Sequence, residues 1–563
     1  MKIVELPYRR NSAELFEPIV GEPWSVFLDS GFPLIDSGRY DIIAARPYIT
    51  LVTEGADTTI RGASQGDRRV TVDPFLLLRE QLAERADNRS GIPFCGGAIG
   101  YFAYDLGRRL ERIPTLAQRD VALPEMAVGL YDWAVVVDHH MRRTWMVGQG
   151  RSPNTERDWP ALERMFRSTV QARLPHYTVG GDISSNMTRE RYAQAFHRIQ
   201  HYIREGDCYQ VNLAQRFEIQ VNGDPWDIYL DMRRHNPAPY SGFMRLPQGA
   251  VLSSSPERFL QVSHGQVETK PIKGTIRRSK FAYEDKALAA QLLESEKDRA
   301  ENLMIVDLLR NDIGKNCRIG SVAVPRLFAL ESFATVHHLV STVTGTLAEG
   351  RHALDLLRGC FPGGSITGAP KLRAMEISEE LEPHRRGVYC GALGYVGFDG
   401  NMDTNIAIRT AVTQGDRYLY WAGGGIVVPL LHKEDGGLGA RVGLEGAGVQ
   451  AHDGEQPAAL DDPAAHSLVG RVVESALWED DGHATAGFEE IEIALDKEQV
   501  AADGALESSL PAILGDLVRQ LVGGEHVGLL DVAGEGRVGE EHVEVERAVV
   551  GALFVIELAA EFF

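Results

Sequence analysis

Apolar and polar positions alternate in short bursts through the first third of the chain. Trp24-Ser-Val-Phe-Leu28 and Tyr40-Asp-Ile-Ile-Ala-Ala45 are β-type runs, separated by the turn formers Gly31, Pro33 and Ser37-Gly38. Further strands are predicted at Gly96-Gly-Ala-Ile-Gly-Tyr-Phe102, Ala134-Val-Val-Val-Asp138 and Thr144-Trp-Met-Val147. Asp73-Pro74 opens a helix over 74–84, because proline is tolerated in a first turn. Residues 1–180 therefore read as an α+β unit.

The stretch 175–186 reads as a connector. Thr188-Arg-Glu-Arg supplies a capping hydroxyl and an acid for a helix over 188–204, stopped by Gly206. Asp207-Cys-Tyr-Gln-Val-Asn-Leu-Ala214 begins a strand, and strands, helices and glycine-rich turns then continue to Val427. A second unit is placed at 188–427.

At 563 residues the chain exceeds one ordinary core, so two or three domains, or one large elaborated domain, are expected. It contains no run of eighteen apolar residues, and its start, MKIVELPYRR, lacks the apolar segment of a secretion signal. No membrane association and a cytoplasmic location are expected. The five cysteines, Cys95, Cys208, Cys317, Cys360 and Cys390, form no CxxC pair, which points to reduced, buried thiols rather than disulfides or zinc.

Charge changes the picture at one place. Residues 428–563 hold seven Lys and Arg against twenty-eight Asp and Glu, a balance of −21 that equals the net charge of the whole chain. Residues 1–427 are neutral, which argues against a nucleic-acid partner. The last segment also lacks Tyr, Asn, Met and Cys. It is read as an atypical acidic tail, frame-shifted or non-homologous to what precedes it.

Several groups in 188–427 are candidates for chemistry. Lys273, in Pro271-Ile-Lys-Gly-Thr275, sits beside a glycine that lets backbone approach a ligand, and burial would free its amine for attack. Taken alone the pentapeptide favours a solvated lysine before a turn. Ser295–Asp312 has helix-forming composition with Gly314 as a stop; Asp298 and Glu301 lie three apart and share a face, where two carboxylates suit Mg²⁺ or simply meet solvent. Gly363-Gly-Ser-Ile-Thr-Gly-Ala-Pro-Lys371 is a glycine-rich loop before a helix, fit for an anion or for a turn, without the P-loop spacing. His337 and His338, adjacent in a β-type run, point to opposite faces and do not chelate one ion. Arg409, at the end of Asn405-Ile-Ala-Ile-Arg409, can grip a carboxylate bidentately, and the glycines of Ala422-Gly-Gly-Gly-Ile-Val427 let backbone amides approach it.

In order along the chain stand SPERF, PIKGT, DLLRNDIGK, HHLVS, GGSITGAPKLRAMEI, YCGALGY, NIAIRT and AGGGIV. This series resembles the chorismate-utilising enzymes. Within them the lysine of PIKGT resembles the amination branch, aminodeoxychorismate synthase component I; the anthranilate synthase large subunit typically has alanine there. The resemblance covers residues 1–427. It implies a chorismate-utilising fold of large, mostly antiparallel β-sheets stacked together and flanked by helices.

It further implies that Lys273 adds to the chorismate ring as the C4 hydroxyl leaves, that Glu257 of SPERF is the general acid, and that ammonia from a glutaminase (amidotransferase) subunit then displaces the lysine. The product, 4-amino-4-deoxychorismate, leads to p-aminobenzoate and folate. Carried over residue by residue, the substrate contacts fall on Gly274, Thr275, Ser365, Tyr389, Arg409 and Gly425, with His338 near the ring. Mg²⁺ falls on Glu301, with Asp298 where relatives often have glutamate. The run from Trp24 to Ser30 and the Gly38-Arg39-Tyr40 turn resemble an N-terminal region in which some members bind tryptophan.

The chain leaves the family pattern after GGGIV. The family continues into a helix with glutamates, one of them a metal ligand, whereas Leu438 stands at the corresponding spacing here, with Glu434 and Asp435 nearby. The metal site is accordingly expected to lack one ligand. A catalytically impaired chorismate-binding scaffold and an anthranilate synthase component I remain the alternative readings.

Overall fold

A computed structural model describes residues 1–427 apart from 63–65, 83–85, 169–172 and 334–335. The acidic tail at 428–563, with Glu434, Asp435 and Leu438, lies outside the described residues.

The described strands form two twelve-stranded sheets, and every ladder between them is antiparallel. Both sheets draw on both halves of the chain. In the first, Val26–Asp29 pairs with Tyr240–Leu246; in the second, Gly97–Phe102 pairs with Ala392–Gly397.

The alternation seen in the sequence sorts side chains into separate cores. On Trp133–Asp138, Trp133, Val135 and Val137 pack in an outer core with Phe166 and Trp226, which lie on the helices Pro153–Arg167 and Pro225–His235. Ala134 and Val136 turn the other way, into a central core fed by both sheets through Val251, Leu419, Ile99 and Leu260. The run is continuously apolar because both faces of this strand are covered. A third core lies under the helices Arg189–Arg204 and Lys371–Leu381, where Ile199, Ile377, Val211 and Leu213 meet.

Local signals set the ends of the elements. Thr188 Oγ1 accepts from Arg191 N at 3.3 Å, and Ser295 Oγ accepts from Asp298 N at 3.2 Å, so each hydroxyl satisfies an open amide of a first turn. Helix Glu296–Gly314 ends at the expected glycine. The expected connector at 175–186 is instead largely a strand, Tyr177–Ser185, an edge laddered to Gln210–Gly223 with a break in register between Gly180 and Ser184. Its glycines and polar residues have low strand propensity, and the neighbouring strand imposes the extended form. All five cysteines are free and buried. No described helix is long and apolar enough to cross a membrane.

Candidate active site

Lys273 lies in a β-bulge. Strand Ile272–Arg277 pairs with Val336–Thr346, opposing Ile272 to Val340 and Thr275 to His338. Three steps on one strand therefore face two on the other, and the extra residue kinks the chain and re-aims side chains. Gly274 makes the kink, with φ +84°, and a Cβ there would stand 2.9 Å from Asp298 Cβ. Only glycine allows both the left-handed backbone and the approach of the helix.

That helix, Glu296–Gly314, is pinned to the strand behind it. Asn302 Nδ2 donates to Leu339 O at 3.2 Å, and Ser341 Oγ donates to Asn302 Oδ1 at 2.5 Å. At the preceding residue, Glu301 Oε1 stands 3.2 Å from Lys273 Nζ and accepts from Gln210 Nε2 at 2.5 Å. Gln210 belongs to the first sheet, so Glu301 marks where the helix meets both sheets. Gly425 permits this closeness: a Cβ there would fall 2.1 Å from Gln210 Nε2 and 3.2 Å from Glu301 Oε1. Past Tyr420 the partner strand Thr410–Gln414 has ended, so 421–427 is laddered only to Gln210–Gly223 among the described residues.

Glu257 is fully enclosed in the link between Gly249–Ser255 and Arg258–Ser263. Its carbonyl accepts from Ile406 N at 3.0 Å, and its Oε1 accepts from Ser365 Oγ at 2.7 Å. Burial pushes the carboxyl up to about 7; the Ser365 hydrogen bond and the charge of Lys273 pull it partly back. It is thus a carboxylic acid able to carry a proton near neutrality.

Thr275 Oγ1 and His338 Nδ1 are 2.8 Å apart across the ladder. Burial, helped by the positive charge of Arg409 and by His337, pushes His338 down to about 3, which leaves a neutral imidazole. His337 has separate partners, Ser332 and Asp285. Arg409 stands in the left-handed region with φ +49°, and its carbonyl accepts from Ser254 N at 2.9 Å. Tyr389 stacks on Trp421 at 6.3 Å between ring centroids, and Trp421 shares a strand with Gly425.

Lys273, Gly274, Asp298, Glu301 and Gly425 thus meet with Gln210 in one patch across the two sheets, Glu257 pairs with Ser365, and Thr275 pairs with His338. Two buried acceptor oxygens in that patch have no hydrogen-bond partner, Asp298 Oδ1 and Gln210 Oε1. An orphaned carboxylate oxygen beside a second buried carboxylate fits a hard divalent cation, which keeps several waters and needs few protein groups. Among the described residues no cluster of three or more His, Cys, Asp or Glu suits a metal.

The sequence profile of a family described as chorismate binding enzyme matches residues 28–429. The chain belongs to this family. Aminodeoxychorismate synthase component 1 of Escherichia coli strain K12 is 49% identical over 432 residues, spanning 76% of this chain and 93% of that protein. The protein of the same description from Klebsiella aerogenes is also 49% identical, with the same coverage. Among solved structures, anthranilate synthase component I from Streptococcus pneumoniae superposes with a TM-score of 0.63 at 33% identity, covering 70% of this chain and 89% of that one. The fold is that of the chorismate-utilising enzymes, two large antiparallel sheets flanked by helices.

Reading the sequence missed Gln210 and Asn302. Gln210 carried a signal, since Gln210 and Asn212 interrupt an apolar strand at alternate positions and so share one face. Asn302 looks like any polar residue of a charged helix until its two strand contacts are seen.

Proposed function

We propose that this chorismate-binding enzyme converts chorismate and ammonia to 4-amino-4-deoxychorismate, the precursor of p-aminobenzoate for folate, with ammonia delivered by a separate glutaminase subunit. The observation that carries this reading is the half-buried Lys273, held on a bulge with its Nζ 3.2 Å from Glu301 Oε1.

In its neutral form the Lys273 amine attacks C2 of the ring while the C4–O bond breaks, and the departing hydroxyl takes the Glu257 proton and leaves as water. The two conjugated ring double bonds each move one position, from C1–C2 and C5–C6 to C1–C6 and C4–C5, and the lysine nitrogen carries the positive charge. Ammonia then bonds to C4, the C2–N bond breaks, and Lys273 regains its lone pair. The new ammonium returns a proton to the Glu257 carboxylate. Atoms and charge balance as chorismate plus ammonia giving aminated product plus water.

Around this step Gly274, Thr275, Ser365, Tyr389, Arg409 and Gly425 hold the substrate, Arg409 by its guanidinium on a carboxylate and the glycines by close backbone approach. The neutral His338 places a polar imidazole against the ring without adding a second cation beside Lys273. Asp298 and Glu301 hold Mg²⁺, which when bound supplies positive charge for a substrate carboxylate.

Purified protein given chorismate, Mg²⁺ and ammonium forms aminodeoxychorismate, and Lys273→Ala abolishes it. Without ammonia, intact-mass analysis finds chorismate less one water on the peptide that holds Lys273. Anthranilate as the product, or full turnover by Lys273→Ala, overturns the reading.

A further inference from the structure

We propose that the side-chain carbonyl of Gln210 is a third protein oxygen for the divalent cation held by Asp298 and Glu301. The inference rests on the reading of those two carboxylates as a metal site.

Gln210 is 2% exposed, and its amide lies against Glu301. An ionised carboxylate only accepts, so the NH₂ end of the amide is the end placed on Glu301. The carbonyl end is then left over, and Oε1 has no partner among the described residues. An enclosed amide oxygen without a protein partner is costly, so in a native protein it calls for an explanation, a bound ion or water among them. Asp298 Oδ1 is a second such atom on the same patch, 93% buried by the 7% exposure of its residue. Two orphaned acceptors and a carboxylate, with no orphaned donor among these three residues, form a set of oxygens suited to a hard cation rather than an anion.

The surroundings are shaped for this amide. Gly425 lies directly over Gln210 Nε2, where any larger residue would displace the side chain. The strand carrying Gln210 is paired on both edges at that point, with Val427 opposite Gln210 on one and Ala369 on the other. A neutral oxygen also has an electrostatic advantage over a third carboxylate. It adds a ligand without further stabilising the ammonium form of Lys273, whose Nζ already stands 3.2 Å from Glu301 Oε1.

The test uses the full chain and two probes, Mn²⁺ for affinity by EPR of the free ion and Eu³⁺ for the count of coordinated waters from luminescence lifetimes in H₂O and D₂O. Gln210→Met keeps the length of the side chain and removes the oxygen. It is expected to weaken Mn²⁺ binding about tenfold or more and to admit one additional water to Eu³⁺. Gln210→Glu keeps an oxygen at the same place and is expected to retain the wild-type water count with affinity at least equal. Unchanged affinity and water count in Gln210→Met overturn the inference while leaving the Asp298–Glu301 site standing. Failure of the unaltered protein to bind Mn²⁺ overturns both. Should Gln210→Met not fold, Gln210→Glu decides, since an extra water or weaker binding there also overturns the inference.

Discussion

Ser365 donates its hydroxyl hydrogen to Glu257 Oε1 across 2.7 Å, joining residues 108 positions apart. The contact favours the ionised carboxylate and so opposes the burial that raises Glu257 to about 7. As general acid Glu257 acts in its protonated form, and activity falls as pH rises through that value. Ser365→Ala removes the opposing contact, so the alkaline limb of kcat/KM moves to higher pH by roughly one pH unit, the equivalent of one hydrogen bond to a charged group. A limb that stays in place or moves down contradicts the assignment.

The same carboxyl makes stability depend on pH. Its folded-state value of about 7 lies above the ordinary 4.5, so its favourable contribution is complete below about 4.5 and is lost as pH rises through about 7. Glu257→Gln lacks this dependence. Relative to the unaltered protein, it gains roughly 3 kcal/mol between pH 4.5 and 8, read from urea unfolding at each pH.

Gly274→Ala strains the bulge in two ways, through the left-handed backbone and through the 2.9 Å approach to Asp298 Cβ. The expected cost is about 1–3 kcal/mol of stability. Because relief moves Asp298 or Lys273, kcat falls at least about a hundredfold, as for other small misplacements of reacting groups. Thermal unfolding and steady-state kinetics measure the two effects. Gly265→Ala, also at positive φ but in open space, is the control and costs stability without that loss of kcat.

His338 stays neutral through the working range, since burial and the charge of Arg409 hold it near 3. Its imidazole nitrogen resonances are expected not to titrate between pH 5 and 8, the range in which an unperturbed imidazole changes charge. A midpoint for His338 within that range shows that the ring is more solvated than its buried position indicates.

Much of the architecture is written in nearest-neighbour patterns. The alternation in Trp133–Asp138, the capping hydroxyls of Thr188 and Ser295, and the spacing of Asp298 and Glu301 on one helix each need only a few residues of context. The ordered motifs from SPERF to AGGGIV added the family and its expected site, and the family profile, matching from residue 28 onward, bears out the first of these.

Other features depend on partners far away in the chain. Tyr177–Ser185 is a strand because Gln210–Gly223 offers it a ladder, which its glycines and serines do not announce. The bulge at Lys273 exists only relative to Val336–Thr346, since a strand has no extra residue until it is paired. Gln210 meets Glu301 across 91 positions, and the near-neutral carboxyl of Glu257 comes from enclosure by segments from across the chain. The sequence by itself determined the elements, their caps and the kind of chemistry at hand, because these follow from short-range periodicity and residue type. Tertiary structure alone decided which carboxylate holds a proton, where the lysine points and which amide oxygen is left without a partner, because burial and long-range contacts are properties of packed sheets.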